Sequence, residues 1–223
     1  LGFPGAITLE VFTTDDIATS HAILLQSYER YLANNASNLT FVLGGTKSGK
    51  SAFAEQLVSR HGGNILYIAT ADASLNDASM ERRIRLHRKR RPSSWSTLET
   101  PLHPAQDAEN LLRFQPADSV LLDCVTLWVT NMLFSRGEQE ITPGEFESLI
   151  RQEIHDLLRL ISHSTAQWTI VSGETGLGGT HATPLERQFC DGLGLANQLI
   201  SQAAGKAYLV VASGQSHFLR HFK

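Results

Sequence analysis

The stretch GGTKSGKS, residues 44–51, follows directly on the apolar run LTFVL at 39–43. It fits the pattern G-x-x-x-x-G-K-[ST], with Gly44, Gly49, Lys50 and Ser51 in the fixed positions and Gly45, Thr46, Lys47 and Ser48 alongside them. Glycines let the backbone curl until successive N–H groups and the N-terminus of the next helix face a phosphate chain. Lys50 spreads positive charge over the outer phosphates, and Ser51 is placed to ligate Mg²⁺. No other feature constrains the fold as strongly. Strand, phosphate-binding loop and helix, in that order, open a nucleotide-binding α/β sheet.

The rest of the chain agrees with that opening. NILYIA (64–69), SVLLDC (119–124), QWTIVS (167–172) and AYLVVA (207–212) join LTFVL as near-continuous apolar runs, the pattern of parallel strands covered on both faces. Helix-like segments fill the intervals. Two of them begin alike, at Thr142-Pro143-Gly144-Glu145 and Thr183-Pro184-Leu185-Glu186: Thr caps, Pro takes the first helical position and Glu reaches back. The alternation predicts a doubly wound α/β domain over residues 39–223, a mostly parallel sheet flanked by helices in the P-loop NTPase (RecA-like) class. Ahead of it, Ile17, His21, Leu24, Tyr28 and Tyr31 recur at helical spacing, so residues 1–38 are expected to form a helical N-terminal extension.

Composition narrows the partners. A net charge of -3 and a pI near 6.3 give no global reason to expect nucleic acid or an anionic membrane. No apolar stretch approaches the roughly 20 residues of a membrane span. The two cysteines, Cys124 and Cys190, suggest neither a disulfide framework nor a zinc site, and Cys124, within VLLDCV, reads as a buried thiol. A cytoplasmic protein is expected.

Ligands of an open α/β sheet bind outside the carboxyl ends of its strands, and there the predicted strands deliver Thr70, Asp123, Gly173, Glu174 and Ser213. Asp123 is either the carboxylate that holds Mg²⁺ or an N-cap for the helix TLWVTNMLF. Glu174 is a general base, a substrate contact or a plain loop carboxylate. The stretch ERRIRLHRKRR, 81–91, holds seven of the 19 Lys and Arg residues. Helical up to Pro92, it would bring Arg83, His87, Arg90 and Arg91 together at spacings of three and four. Cations around His87 favour a neutral, nucleophilic imidazole; the alternatives are a solvated basic face and an RNA patch. The RNA reading ranks lowest, because the chain is acidic overall and the stretch has no interleaved aromatics.

Beyond these patterns, the sequence from about 39 to 212 resembles the bifunctional adenosylcobinamide kinase and adenosylcobinamide-phosphate guanylyltransferase family of cobalamin biosynthesis. The resemblance rests on GGTKSGKS, YIATA at 67–71, MERRIRLHRKRRP at 80–92, Trp95, Thr97 and Glu99 of a W-x-T-x-E pattern, LLDCVTLWVTNML at 121–133 and G-E-x-G-L-G at 173–178. Arg187, Phe189, Asp191 and the pair Asn197-Gln198 also fall where the family has similar residues. It implies that ATP or GTP phosphorylates the aminopropanol hydroxyl of adenosylcobinamide, and that a histidine, here His87, takes GMP from GTP and passes it to adenosylcobinamide phosphate. It further implies that Thr70, Arg88, Lys89, Arg90, Arg91, Glu99 and Asp123 surround the guanine nucleotide, with Ser51 and Asp123 on Mg²⁺, and that the protein is a small homo-oligomer such as a trimer. Glu99 suits the paired N–H donors of a guanine edge or an ordinary salt bridge. The chain departs from the family at Gly173, at His181-Ala182-Thr183 and at Ser79. Those departures keep two alternatives in view: a member that has lost one activity, and a P-loop kinase for another small alcohol.

Overall fold

The computed structural model describes residues 38–72, 91–135, 137, 141–176, 183–212 and 215–219. The expected N-terminal helix and residues 79–90 of the expected basic helix lie outside these. In chain order the elements are β1 (Leu39–Gly44), α1 (Lys50–His61), β2 (Ile65–Ala69), β3 (Ser96–Glu99), α2 (Pro104–Leu112) and β4 (Ser119–Asp123). Then come α3 (Val125–Leu133), α4 (Pro143–Ser162), β5 (Gln167–Gly173), α5 (Pro184–Ala203), β6 (Lys206–Val211) and β7 (Gln215–Leu219).

The strands form one seven-stranded sheet in the order β3-β2-β4-β5-β1-β6-β7. Every pairing is parallel except β6 with β7. The five apolar runs are all strands, and their alternate residues feed two cores. Leu39, Phe41, Leu43, Leu122, Trp168 and Ile170 face α2 to α5 on one side. On the other, Val42, Tyr67, Leu121 and Val171 meet Ala54 and Val58 of α1. Burial on both faces is why these strands lack a polar alternation, and each fully buried Ile, Leu or Phe adds about 1.5–3 kcal/mol.

Two strands escaped the sequence reading. β3 (STLE) is an edge strand whose side chains are mostly exposed, so it carries no apolar run. Among the described strands β7 forms the opposite edge, paired on one side only, after a turn in which Ala212 takes φ 47°. SVLLDC proves one residue too long: the strand stops at Asp123, and Cys124 is the N-cap of α3.

Both predicted capping boxes form. In α4 the Glu145 amide donates to Thr142 Oγ1 at 3.3 Å and the Thr142 amide to Glu145 Oε2 at 3.0 Å. In α5 the corresponding bonds between Glu186 and Thr183 are 3.2 and 3.0 Å. These caps set where each long helix begins, and thereby which of its faces reaches the sheet.

Register decides what the sheet delivers to its carboxyl edge. Gly44 pairs with Gly173, Asp123 with Val171, and Ala69 with both Asp123 and Glu99. The phosphate loop, Asp123, Thr70, Glu99 and Glu174 therefore share one rim.

Candidate active site

The loop between β1 and α1 wraps back on itself, with the Ser48 amide donating to the Gly45 carbonyl at 3.2 Å. Lys47 and Gly49 take φ values of 58° and 92°, and the second is a left-handed conformation suited to glycine. As N-cap of α1, Gly49 has no side chain to offer the first-turn amides, which suits them to an anion. Gly44 is required for a different reason. A Cβ there would lie 2.5 Å from Ser48 Oγ and 2.6 Å from the Val210 carbonyl. Lys50 Nζ reaches the Gly45 carbonyl at 3.3 Å, so the loop is closed around its own ammonium group.

Asp123 comes up two strands away, at the end of β4. Ser51 Oγ donates to Asp123 Oδ1 at 3.3 Å, and the Tyr67 hydroxyl to Oδ2 at 2.9 Å. The N-cap alternative for Asp123 is thus replaced by a pairing with the loop. Ser51 and Asp123 are hard oxygen donors of the kind Mg²⁺ prefers. Among the described residues no group of three or more His, Cys, Asp or Glu side chains could hold a metal alone, so an ion here would share its ligands with phosphate and water.

Tyr67 was not singled out from sequence, because a tyrosine in an apolar strand reads as core. It is 1% exposed. Burial, reinforced by the Asp123 carboxylate, pushes its phenol far above the ordinary range, so it stays a donor. The Arg91 guanidinium stacks on the same ring, 3.4 Å from its centroid, within reach of a cation–π attraction. Arg91 is the described member of the basic stretch, and it joins the site through Tyr67. His87, Arg88, Lys89 and Arg90 lie outside the described residues.

Thr70 is fully buried, and its hydroxyl ties two strand ends together. It donates to the Cys124 carbonyl at 2.7 Å and accepts from the Cys124 amide at 2.9 Å. Asn131 of α3, another polar residue missed from sequence, donates to the carbonyls of Thr70 and Pro101 at 2.7 and 2.9 Å. Glu99 closes β3 beside them, exposed on the rim. The Cys124 thiol is pushed up to about 11, first by burial and then by Asp123, in keeping with an unreactive thiol.

Gly173 and Glu174 complete the rim. The Glu174 amide donates to the Gly44 carbonyl at 3.1 Å, and Glu174 Oε1 accepts from the Gly176 amide at 2.6 Å. Gly173 accepts from Asn197 Nδ2 at 3.0 Å and donates to Thr126 Oγ1 at 2.7 Å. A Cβ at 173 would sit 2.7 Å from that hydroxyl. Thr126 Oγ1 therefore occupies the space that a side chain at 173 would take. Of the second departure, His181 and Ala182 lie outside the described residues, whereas Thr183 serves as the α5 cap.

Comparison with known proteins follows the same lines. Residues 40–218 match the model of the cobinamide kinase / cobinamide phosphate guanyltransferase family. The bifunctional adenosylcobalamin biosynthesis protein of Pseudomonas aeruginosa is 37% identical over 171 residues, 77% of this chain and 91% of that protein. Its counterparts in Escherichia coli and Salmonella typhimurium are 36% and 34% identical, over 78% of this chain and 96% of each. Among solved structures, an ATPase of the type III secretion system of pathogenic bacteria superposes with a TM-score of 0.51 at 12% identity. The match covers 85% of this chain and 60% of the ATPase, and it bears on the fold alone, that of RecA-like P-loop proteins. Among the described residues no helix is long and apolar enough to cross a membrane. The family match spans both the phosphate loop and the Asp123 rim, and the chain belongs to the cobinamide kinase / cobinamide phosphate guanyltransferase family.

Proposed function

We propose that the chain phosphorylates adenosylcobinamide with ATP or GTP and then converts the product to adenosylcobinamide-GDP through a guanylyl group carried on His87. The observation that carries this reading is the meeting of Ser51 and Asp123 beneath the closed loop, within the span of the family match.

In the kinase step Lys50 and the loop amides bind the outer phosphates and hold the γ-phosphorus toward the rim. Ser51 and Asp123 would hold Mg²⁺, which when bound neutralises phosphate charge. The alcohol oxygen forms a bond to the γ-phosphorus, the bond to the bridging oxygen breaks, and a nucleoside diphosphate leaves. In the transfer step a neutral His87 nitrogen attacks the α-phosphorus of GTP and pyrophosphate departs. The phosphate oxygen of adenosylcobinamide phosphate then displaces the histidine. Arg88, Lys89, Arg90 and Arg91 offset the charge that develops on the phosphates. Thr70 and Glu99 lie where the guanine nucleotide would be held. For Thr70 that role is one of positioning, since its hydroxyl is engaged with Cys124.

We also place the protein in the cytoplasm as a homo-oligomer, a trimer by the family resemblance. Support for the first comes from its two free cysteines and from chemistry that draws on nucleoside triphosphates.

The test uses GTP labelled at the α-phosphate, with Mg²⁺ and no corrinoid. Protein-bound label that survives base and is released by acid is expected in the wild type and absent in His87→Ala. Label that persists in the variant would overturn the assignment of His87.

A further inference from the structure

A cavity of about 490 Å³ opens beside the phosphate loop, between the ends of β1 and β5 and one face of α5. Leu43 faces into it from the side of the sheet opposite α1. The segment from Glu174 to Gly176 forms one wall, and α5 forms the other with Gly194, Asn197, Gln198 and Gln202 among its residues. The helix therefore presents two stripes. Leu193, Ala196 and Ile200 enter the core, while a second stripe of small and carboxamide side chains faces the cavity.

The chemistry of this lining is selective. Among the described residues that line it none is Lys, Arg or His, and Glu174 contributes negative charge. Phosphate is disfavoured there, although the phosphate loop is adjacent. Three primary carboxamides, by contrast, can each donate and accept. Asn197 is 9% exposed. Its Nδ2 is committed to the Gly173 carbonyl at 3.0 Å, which fixes the orientation of the amide, and its Oδ1 has no hydrogen-bond partner among the described residues. The lining thus fits a neutral arm rich in amide groups.

We propose that this cavity is the acceptor subsite of the kinase step. It takes the amide-linked hydroxyalkyl arm of the substrate, with the carboxamides of Gln198 and Gln202 available to its amide group and Glu174 facing the hydroxyl. Glu174 is anchored at both ends for that role, its amide on Gly44 of the loop and its Oε1 on the Gly176 amide. As the alcohol oxygen bonds to the γ-phosphorus, its O–H bond breaks, the proton passes to the Glu174 carboxylate, and the nucleoside diphosphate leaves with the electron pair of the broken P–O bond. The assignment rests on the corrinoid reading above and adds where its reactive arm lies.

Gly194 supplies the test. It lines the cavity, and a Cβ there meets nothing within 4 Å, so the side chain of Gly194→Leu starts into open space and takes up part of the cavity. As a Gly-to-Leu change inside a helix it should hold or raise the melting temperature. With adenosylcobinamide and ATP as substrates, the expected result is a corrinoid KM raised more than tenfold with the ATP KM within about twofold of wild type. Glu174→Gln, nearly identical in shape, should instead lower kcat by about 10²-fold or more with the corrinoid KM little changed. Wild-type corrinoid kinetics in Gly194→Leu would overturn the cavity assignment and leave the functional reading standing. A wild-type protein that binds ATP but does not phosphorylate adenosylcobinamide would overturn both.

Discussion

Replacing Tyr67 by Phe removes one atom from the centre of the site. The ring stays, so its packing in the core and the Arg91 stack at 3.4 Å are retained. What disappears is the donor to Asp123 Oδ2 at 2.9 Å, at a position only 1% exposed. A hydrogen bond to a charged group is worth about 1.5–3 kcal/mol. Taking about 2 kcal/mol, and about 2–4 °C per kcal/mol for a chain of this size, the ligand-free protein should melt about 4–8 °C lower. The hydroxyl also fixes how Asp123 presents Oδ1 to Ser51, and loss of such a support typically weakens metal binding by about 10–100-fold. Calorimetry of the ligand-free variant and a Mg²⁺ titration of nucleotide binding, each against wild type, measure the two effects separately. An unchanged melting temperature together with an unchanged Mg²⁺ requirement would refute the claim that Tyr67 organises Asp123.

Two further outcomes follow. Cys124, with its thiol held up to about 11 when folded against about 8.5 when unfolded, keeps a proton in the native state that the unfolded chain has lost. The stability it contributes is complete below about pH 8.5 and is lost as pH rises toward 11. In melting curves from pH 8 to 11, Cys124→Ala should fall less steeply than wild type, and parallel slopes would contradict the reasoning. Thr142→Ala removes the acceptor for the Glu145 amide at the exposed start of α4, away from the rim. It should cost about 1 kcal/mol, or about 2–4 °C, with kinase activity unchanged.

How much of this was legible in the sequence depended on whether the signal was local. GGTKSGKS carries its own geometry at a fixed spacing, and the Thr-Pro-x-Glu caps specify helix starts within four residues, so both were read correctly. Strands buried on two faces were equally plain. β3 was missed because an exposed edge strand has no need of apolar residues, and β7 because it is the other edge among the described strands. In the site, Tyr67, Thr126, Asn131 and Asn197 went unassigned because each acts across the sheet or from a helix onto a strand end. Tyr67 reaches Asp123 over a separation of 56 residues, and only the pairing of β2 with β4 brings them together. Gly173 looked like a loss when taken alone. In the fold its amide donates to Thr126 Oγ1 at 2.7 Å, a contact 47 residues away in sequence.

The central claim is that one chain performs both cuts on nucleoside triphosphate for a corrinoid substrate. Incubation of the wild-type protein with adenosylcobinamide, ATP, GTP and Mg²⁺, followed by mass analysis of the corrinoid, tests it most directly. The account predicts conversion to adenosylcobinamide-GDP, with the phosphate appearing first. Corrinoid recovered unchanged, or halted at the phosphate while GTP remains in excess, would contradict it.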